Sequence, residues 1–279
     1  MHDSIMKTIR ILLLGDLVGS PGIAMFQKHI AHLKKKYAIH GIIVNGENSA
    51  PNGRGITPGI VRLLKQCGAD VITTGNHVYN NKEIYQYLSA HKDVLRPANF
   101  PSSCPGVGVT TFMCNDYKIG VVNLQGRIFM RELLECPFRA ATSILTFLRS
   151  QTNCILIDFH AEATSEKLAM AYYLDGKISA LVGTHTHIQT ADERILPQGT
   201  AYISDLGMAG ALNSSIGMKK EPIIEQFLTQ MPQKYVVETQ GPMVLSGVWI
   251  ELDTNTGKAI HIERIRIVDD EISISGTIV

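Results

Sequence analysis

Five short apolar runs, each ending abruptly in polar or ionisable residues, constrain most strongly what this chain can fold into. They are "IRILLLGD" (9–16), "GIIVNGEN" (41–48), "DVITTGNH" (70–77), "CILIDFHAE" (154–162) and "ISALVGTHTH" (178–187). Runs so short and so uniformly apolar suit strands covered on both faces. Helical stretches alternate with them. The first, "SPGIAMFQKHIAHLKKKY", carries Ser20 and Pro21 as N-cap and first-turn signals, and "TPGIVRLLKQCGA" starts at Thr57-Pro58. "NKEIYQYLSAH" and "SEKLAMAYYLDG" are the next two. The segments 108–126 and 242–268 read instead as antiparallel hairpins, turning at Asn115-Asp116 and at Thr254 to Gly257. A mixed α/β architecture follows, with two packed sheets and helices outside. No repeat or linker divides the chain, so one domain over 1–279 is expected.

The polar residues at the run ends are Asp16, Glu47-Asn48, Asn76-His77, His160 and the pair His185/His187. Each has a plainer reading on its own. Asp16 could cap the next helix, and Glu47-Asn48 could belong to a turn-rich loop. Asn76-His77 could form an ordinary turn, and His160 could be a hydrogen-bonded core histidine. The His185/His187 spacing would show both rings to one side of a strand. Jointly these residues favour a metal site. Ligands bind at the carboxyl ends of strands in open α/β sheets, and neighbouring strands lie under ~5 Å apart. The other six histidines (His2, His29, His32, His40, His91, His261) share no such pattern.

Carboxylate, amide oxygen and imidazole without thiolate suit iron, manganese or zinc rather than calcium or a copper–thiolate centre. The candidates exceed the ~4 ligands usual for one zinc and fit two metals sharing a bridging carboxylate. The five cysteines are scattered and unpaired in spacing, indicating buried reduced thiols rather than disulfides or a zinc–thiolate site. A net charge of +1 gives no case for electrostatic binding to DNA or to an anionic membrane. The basic "HLKKKY" (32–37) reads as the solvated end of a helix. The apolar run near the N-terminus is too short for a signal peptide, and no stretch approaches the ~20 apolar residues of a membrane span. A soluble, cytoplasmic protein is expected.

The stretches "GDLVGSPG", "NGENSAPNGRGIT", "TTGNH", "DFHAEATSEK" and "GTHTHIQTADERILPQGTAYISDLGMAG" resemble the calcineurin-like metallophosphoesterases, and among them the YmdB-like bacterial phosphodiesterases. Val18 stands where the wider superfamily has a histidine, and Glu47-Asn48 replaces its G-D pair. The YmdB-like subfamily shares both departures. The resemblance implies a four-layer αββα sandwich with a dinuclear centre at one edge. It places Asp16, Glu47, Asn48 and His187 on one metal and Glu47, Asn76, His160 and His185 on the other, with Glu47 bridging.

The implied cofactors are two ions, iron or manganese, with zinc compatible. The implied activity is hydrolysis of 2′,3′-cyclic nucleotides or related phosphodiesters by attack of a metal-bridging hydroxide. His77 is the candidate general acid, because imidazole titrates near working pH. Arg54 and Arg127 are candidate phosphate contacts that also read as solvated loop residues. An RNA-derived substrate, RNA-linked regulation and a homo-oligomer are all compatible with these features. A phosphomonoesterase and a metal-dependent regulatory protein with secondary catalysis are the rival readings. The relative turnover of di- and mono-esters separates the first. Complementation by a metal-dead Asp16→Asn variant separates the second.

Overall fold

The computed structural model describes residues 7–272; His2 and the start of the N-terminal segment lie outside that range. The chain opens with β1 (Thr8–Leu17), α1 (Gly19–Lys36), β2 (Gly41–Asn45), α2 (Pro58–Gln66), β3 (Val71–Thr73) and α3 (Ile84–Ala90). It continues with β4 (Val109–Cys114), β5 (Tyr117–Gln125), α4 (Pro137–Leu148), β6 (Cys154–His160), α5 (Thr164–Leu174) and β7 (Ala180–Thr184). The last elements are β8 (Arg194–Ile195), β9 (Ala201–Ile203), β10 (Met208–Ala211), α6 (Lys220–Thr229), β11 (Met243–Asp253) and β12 (Ala259–Asp269).

Two six-stranded sheets form, ordered β12-β11-β10-β1-β2-β3 and β4-β5-β6-β7-β9-β8. β1, β2 and β3 run parallel in the first, and β5, β6, β7 and β9 in the second. Both expected hairpins are present: β4 pairs β5 around Asn115-Asp116, and β11 pairs β12 around residues 254–258.

Side-chain alternation explains why the strand runs are apolar throughout. Ile9, Ile11 and Leu13 of β1 join Val121, Leu156 and Val182 in the layer between the sheets. Leu12 and Leu14 point the other way and pack with Phe26, Leu33 and Leu64 of the outer helices. Val122, Ile155 and Ile157 similarly meet Leu145 and Met170 of α4 and α5. The result is a four-layer αββα sandwich with three stacked apolar layers. Among the described residues no helix is long and apolar enough to cross a membrane.

Three local expectations change. Helix α1 begins at Gly19 with Val18 as its N-cap and no side-chain cap bond, so Ser20 and Pro21 fall inside the first turn. The Val18 carbonyl takes the Gly22 N–H at 3.1 Å, letting β1 run almost directly into the helix. His185 and His187 follow the end of β7 rather than lying on it, so strand alternation does not orient them. All five cysteines are free, as expected, but only Cys114 and Cys154 are buried. By contrast, Thr57 caps α2 through its hydroxyl, and Lys34–Lys36 form the solvated last turn of α1.

Candidate metal centre

The sandwich brings the five strand ends together from two sheets rather than one. Asp16, Glu47-Asn48 and Asn76 come from β1, β2 and β3, which are neighbours in the first sheet. His160 and the 185–187 turn come from β6 and β7, neighbours in the second. The two sets face each other across the sheet–sheet layer at one edge.

Each residue is aimed by its local backbone. The β1–β2 register shifts between Leu14 and Asp16, an irregularity that re-aims Asp16. Gly15 is required there, because a Cβ would collide with the Gly207 carbonyl. Asp16 is thus a buried strand residue and caps no helix. Glu47 sits in the tight turn after β2, its N–H held by Asn45 Oδ1 at 3.0 Å. Asn48 donates Nδ2 to the Gly53 carbonyl at 2.9 Å, which turns its Oδ1 to His187 Nε2 at 3.2 Å. Gly75 allows Asn76 its approach, since a Cβ at 75 would strike the Glu47 carboxylate and the His160 ring.

His160 Nε2 is the meeting point of one group. Asn76 Oδ1 lies 3.0 Å from it, His185 Nδ1 3.0 Å and Glu47 Oε1 3.2 Å. Ligands at ~2.1 Å from one ion and at right angles stand ~3 Å apart, so these separations fit donors around one cation as well as they fit hydrogen bonds. Glu47, His160 and His185 each offer one ligand atom within 4.8 Å of the others. A second group adjoins it: His187 Nε2 is 3.2 Å from Asn48 Oδ1 and 3.9 Å from Asp16 Oδ1. His77 lies beside the cluster, its Nε2 3.5 Å from Asn76 Nδ2. All seven candidate ligands are therefore brought into one cluster, with His185 and His187 in different halves of it.

Burial sets the electrostatics of the cluster. Asp16 Oδ1 and Glu47 Oε2 are buried with no hydrogen-bond partner. Burial pushes the Asp16 carboxyl well above its usual range, with Asp205 and Glu47 adding to the rise. Burial likewise pushes Glu47 up to about 7, partly offset by His77 and His187. The same burial holds His160 well below its ordinary value and lowers His185 to about 2, so both rings are neutral. Neutral imidazoles beside buried carboxylate oxygens without partners form a donor set of the kind divalent cations bind, with the cation displacing the carboxyl protons.

Supporting residues were less visible in the sequence. Asp158 of β6 accepts from Thr184 at 2.7 Å, from Thr73 at 2.5 Å and from Asn45 at 3.0 Å, tying β6 and β7 to β2 and β3. Thr184 in turn holds His160 Nδ1 at 3.0 Å, leaving Nε2 for the cluster. Glu162 Oε2 stands 3.1 Å from His185 Nε2 and orients that ring. The one available signal was a carboxylate inside the apolar run "CILIDFH". His185 and His187 have φ of +101° and +66°, a backbone conformation that leaves no trace in composition.

A cleft of about 320 Å³ opens beside the cluster, lined by Arg54, Asn76, His77, Arg131, Glu132 and His185 among others. Arg54 thus faces the site, whereas Arg127 is not part of this wall. The larger cavity, about 530 Å³ between α4 and β4, contains none of these residues.

An αββα sandwich carrying such a donor cluster at its strand ends defines a calcineurin-like metallophosphoesterase. The chain belongs to the YmdB-like protein family, whose pattern it matches over residues 12–265. It is 49% identical over 264 residues to the Bacillus subtilis protein named 2′,3′-cyclic-nucleotide 2′-phosphodiesterase, covering 95% of this chain and 99% of that one. The crystal structure of a novel phosphatase from Mycoplasma pneumoniae superposes with a TM-score of 0.89 at 36% identity, covering 95% of each chain. The crystal structure of a hypothetical protein from Thermus thermophilus matches with a TM-score of 0.85 at 37% identity, covering 94% of this chain and all of that one.

Proposed function

We propose that the chain is a two-metal phosphodiesterase acting on 2′,3′-cyclic nucleotides, with iron or manganese as its ions and zinc also accommodated. The carrying observation is the pair of buried, unpartnered carboxylate oxygens on Asp16 and Glu47, set among neutral imidazoles. The separations support Glu47, Asn76, His160 and His185 around one ion and Asn48 with His187 around another; by the family resemblance Asp16 would join the second group and Glu47 would serve both. The bound ions supply an activated water and charge neutralisation on the phosphate. The chain's own residues do the rest. Two carboxylates leave the loaded centre positive enough to attract a phosphodiester anion without trapping it. Arg54 faces the incoming phosphate from the cleft wall. His77, on the same wall, gives a proton to the departing 2′-oxygen. Cyclic 2′,3′-phosphates form when RNA is cleaved by its own 2′-hydroxyl, so the substrate would be RNA-derived. The five free cysteines suit a reducing, cytoplasmic setting.

The test compares metal-reconstituted protein on 2′,3′-cyclic AMP and on 5′-AMP. Hydrolysis of the diester alone is expected, and a preference for the monoester would overturn the reading. His77→Ala should keep its metal content and lose ~10²-fold in kcat. Loss of metal would make His77 a ligand instead.

A further inference from the structure

The loop between β5 and α4 carries a side chain that folding does not explain. Phe129 is 86% exposed, so its ring gains almost nothing from burial. Its φ is +61°, a region in which a bulky residue is an outlier. The loop is nonetheless held firmly on both sides. Glu166, from α5, accepts the Arg127 N–H at 3.0 Å and the Ile128 N–H at 3.2 Å. Beyond Phe129, Gln125 Nε2 donates to Glu132 Oε2 at 3.0 Å, and Asn99 Nδ2 donates to the Glu135 carbonyl at 3.0 Å. Two clamps therefore fix a strained loop so that an aromatic ring stands in water. Phe129 lines the same cleft as His77, Arg54 and His185. Most of the cleft's other lining residues are polar or charged, and Phe129 adds an aromatic side chain to them.

We propose that Phe129 is the base platform of the site: the nucleobase stacks on its ring while the cyclic phosphate reaches the donor cluster. The inference deepens the cyclic-nucleotide reading and rests on it. Stacking is tolerant of base identity because every base has a π-face, so purine and pyrimidine substrates should be used comparably. Orientation comes from the phosphate end, and the ring contributes affinity.

The experiment compares 2′,3′-cyclic AMP with a base-free analogue, 1-O-methylribose 2,3-cyclic phosphate, on metal-reconstituted parent, Phe129→Ala and Phe129→Trp. Calorimetric binding of the products 3′-AMP and 1-O-methylribose 3-phosphate is measured alongside. Phe129→Ala should raise KM for the nucleotide ~10-fold at unchanged kcat and weaken 3′-AMP similarly. It should leave the base-free pair within about twofold by the same reasoning, and Phe129→Trp should recover the parent values. Equal losses on both substrates, no loss on either, or a change of oligomeric state that accounts for the loss would each overturn the proposal. If the parent fails to hydrolyse 2′,3′-cyclic AMP, the functional reading itself fails and this inference falls with it.

Discussion

Glu47 shows at single-residue scale how a site can be poised for a cation. Burial lifts its carboxyl from 4.5 to about 7, so the metal-free folded protein keeps a proton that the unfolded chain releases near 4.5. Between those values the folded state binds more protons, and this group's contribution to stability falls as pH rises. Glu47→Gln has no such proton to lose. In metal-free protein, the stability of Glu47→Gln relative to the parent should therefore rise by about 3 kcal/mol from pH 4.5 to pH 7. Paired thermal melts across that interval, with chelator present, would show it. A pH-independent gap would mean that the carboxylate is solvated or paired. The identity of such residues was legible in the sequence because each candidate ligand follows an apolar run, where a buried polar group needs a reason. What the sequence did not show was conformation. The left-handed backbone at His185, His187 and Phe129 is imposed by tertiary clamps, and these residue types do not announce it.

Among the elements, local chemistry was the legible part. Thr57 caps α2 because its own hydroxyl reaches the Ile60 N–H, a bond internal to four residues. The start of α1 was misplaced because it is set from outside: the Asn48 carbonyl takes the Gly19 N–H at 2.9 Å. The joint between α5 and the turn after β9 is another long-range device. Lys167 Nζ meets Asp205 Oδ2 at 2.8 Å with both side chains buried. Asp205 also accepts the Thr186 N–H at 3.1 Å and the Gly207 N–H at 2.9 Å, so it braces the histidine turn from behind. Lys167→Ala would strand a buried carboxylate and should cost ~3–5 kcal/mol. The double variant Lys167→Ala/Asp205→Asn should recover part of that loss, because the stranded charge is gone. Equal melting points for single and double variants would show that lost packing, not charge, sets the cost.

For the molecule as a whole, the decisive fact is that the donor cluster joins two sheets. Each sheet is internally hydrogen-bonded, and an apolar layer holds the pair together along most of its length. At the site edge that layer gives way to Asp16, Glu47, Asn76 and His160, where burial, with Asp205 and Glu47 adding to it, holds the Asp16 carboxyl well above its usual range. Bound ions should act there as a staple between sheets. Ligation that occurs only in the folded state stabilises it by about 4 kcal/mol at a thousandfold excess over Kd. Removing the metals should therefore lower the melting temperature. It should also speed hydrogen exchange in the turns at 46–49, 74–77 and 185–187, leaving protected the turn end of the β11–β12 hairpin, which lies beside the start of β1 and so opposite the Asp16 end. Because His185 and His187 stand in different halves of the cluster, their replacements should not be equivalent. His185→Ala and His187→Ala should each retain about one ion of the two, and re-adding metal to either should restore only part of the melting temperature. Simultaneous loss of both ions from either variant would show that the pair holds one joint site, and exchange that rises evenly across both sheets on chelation would remove the staple.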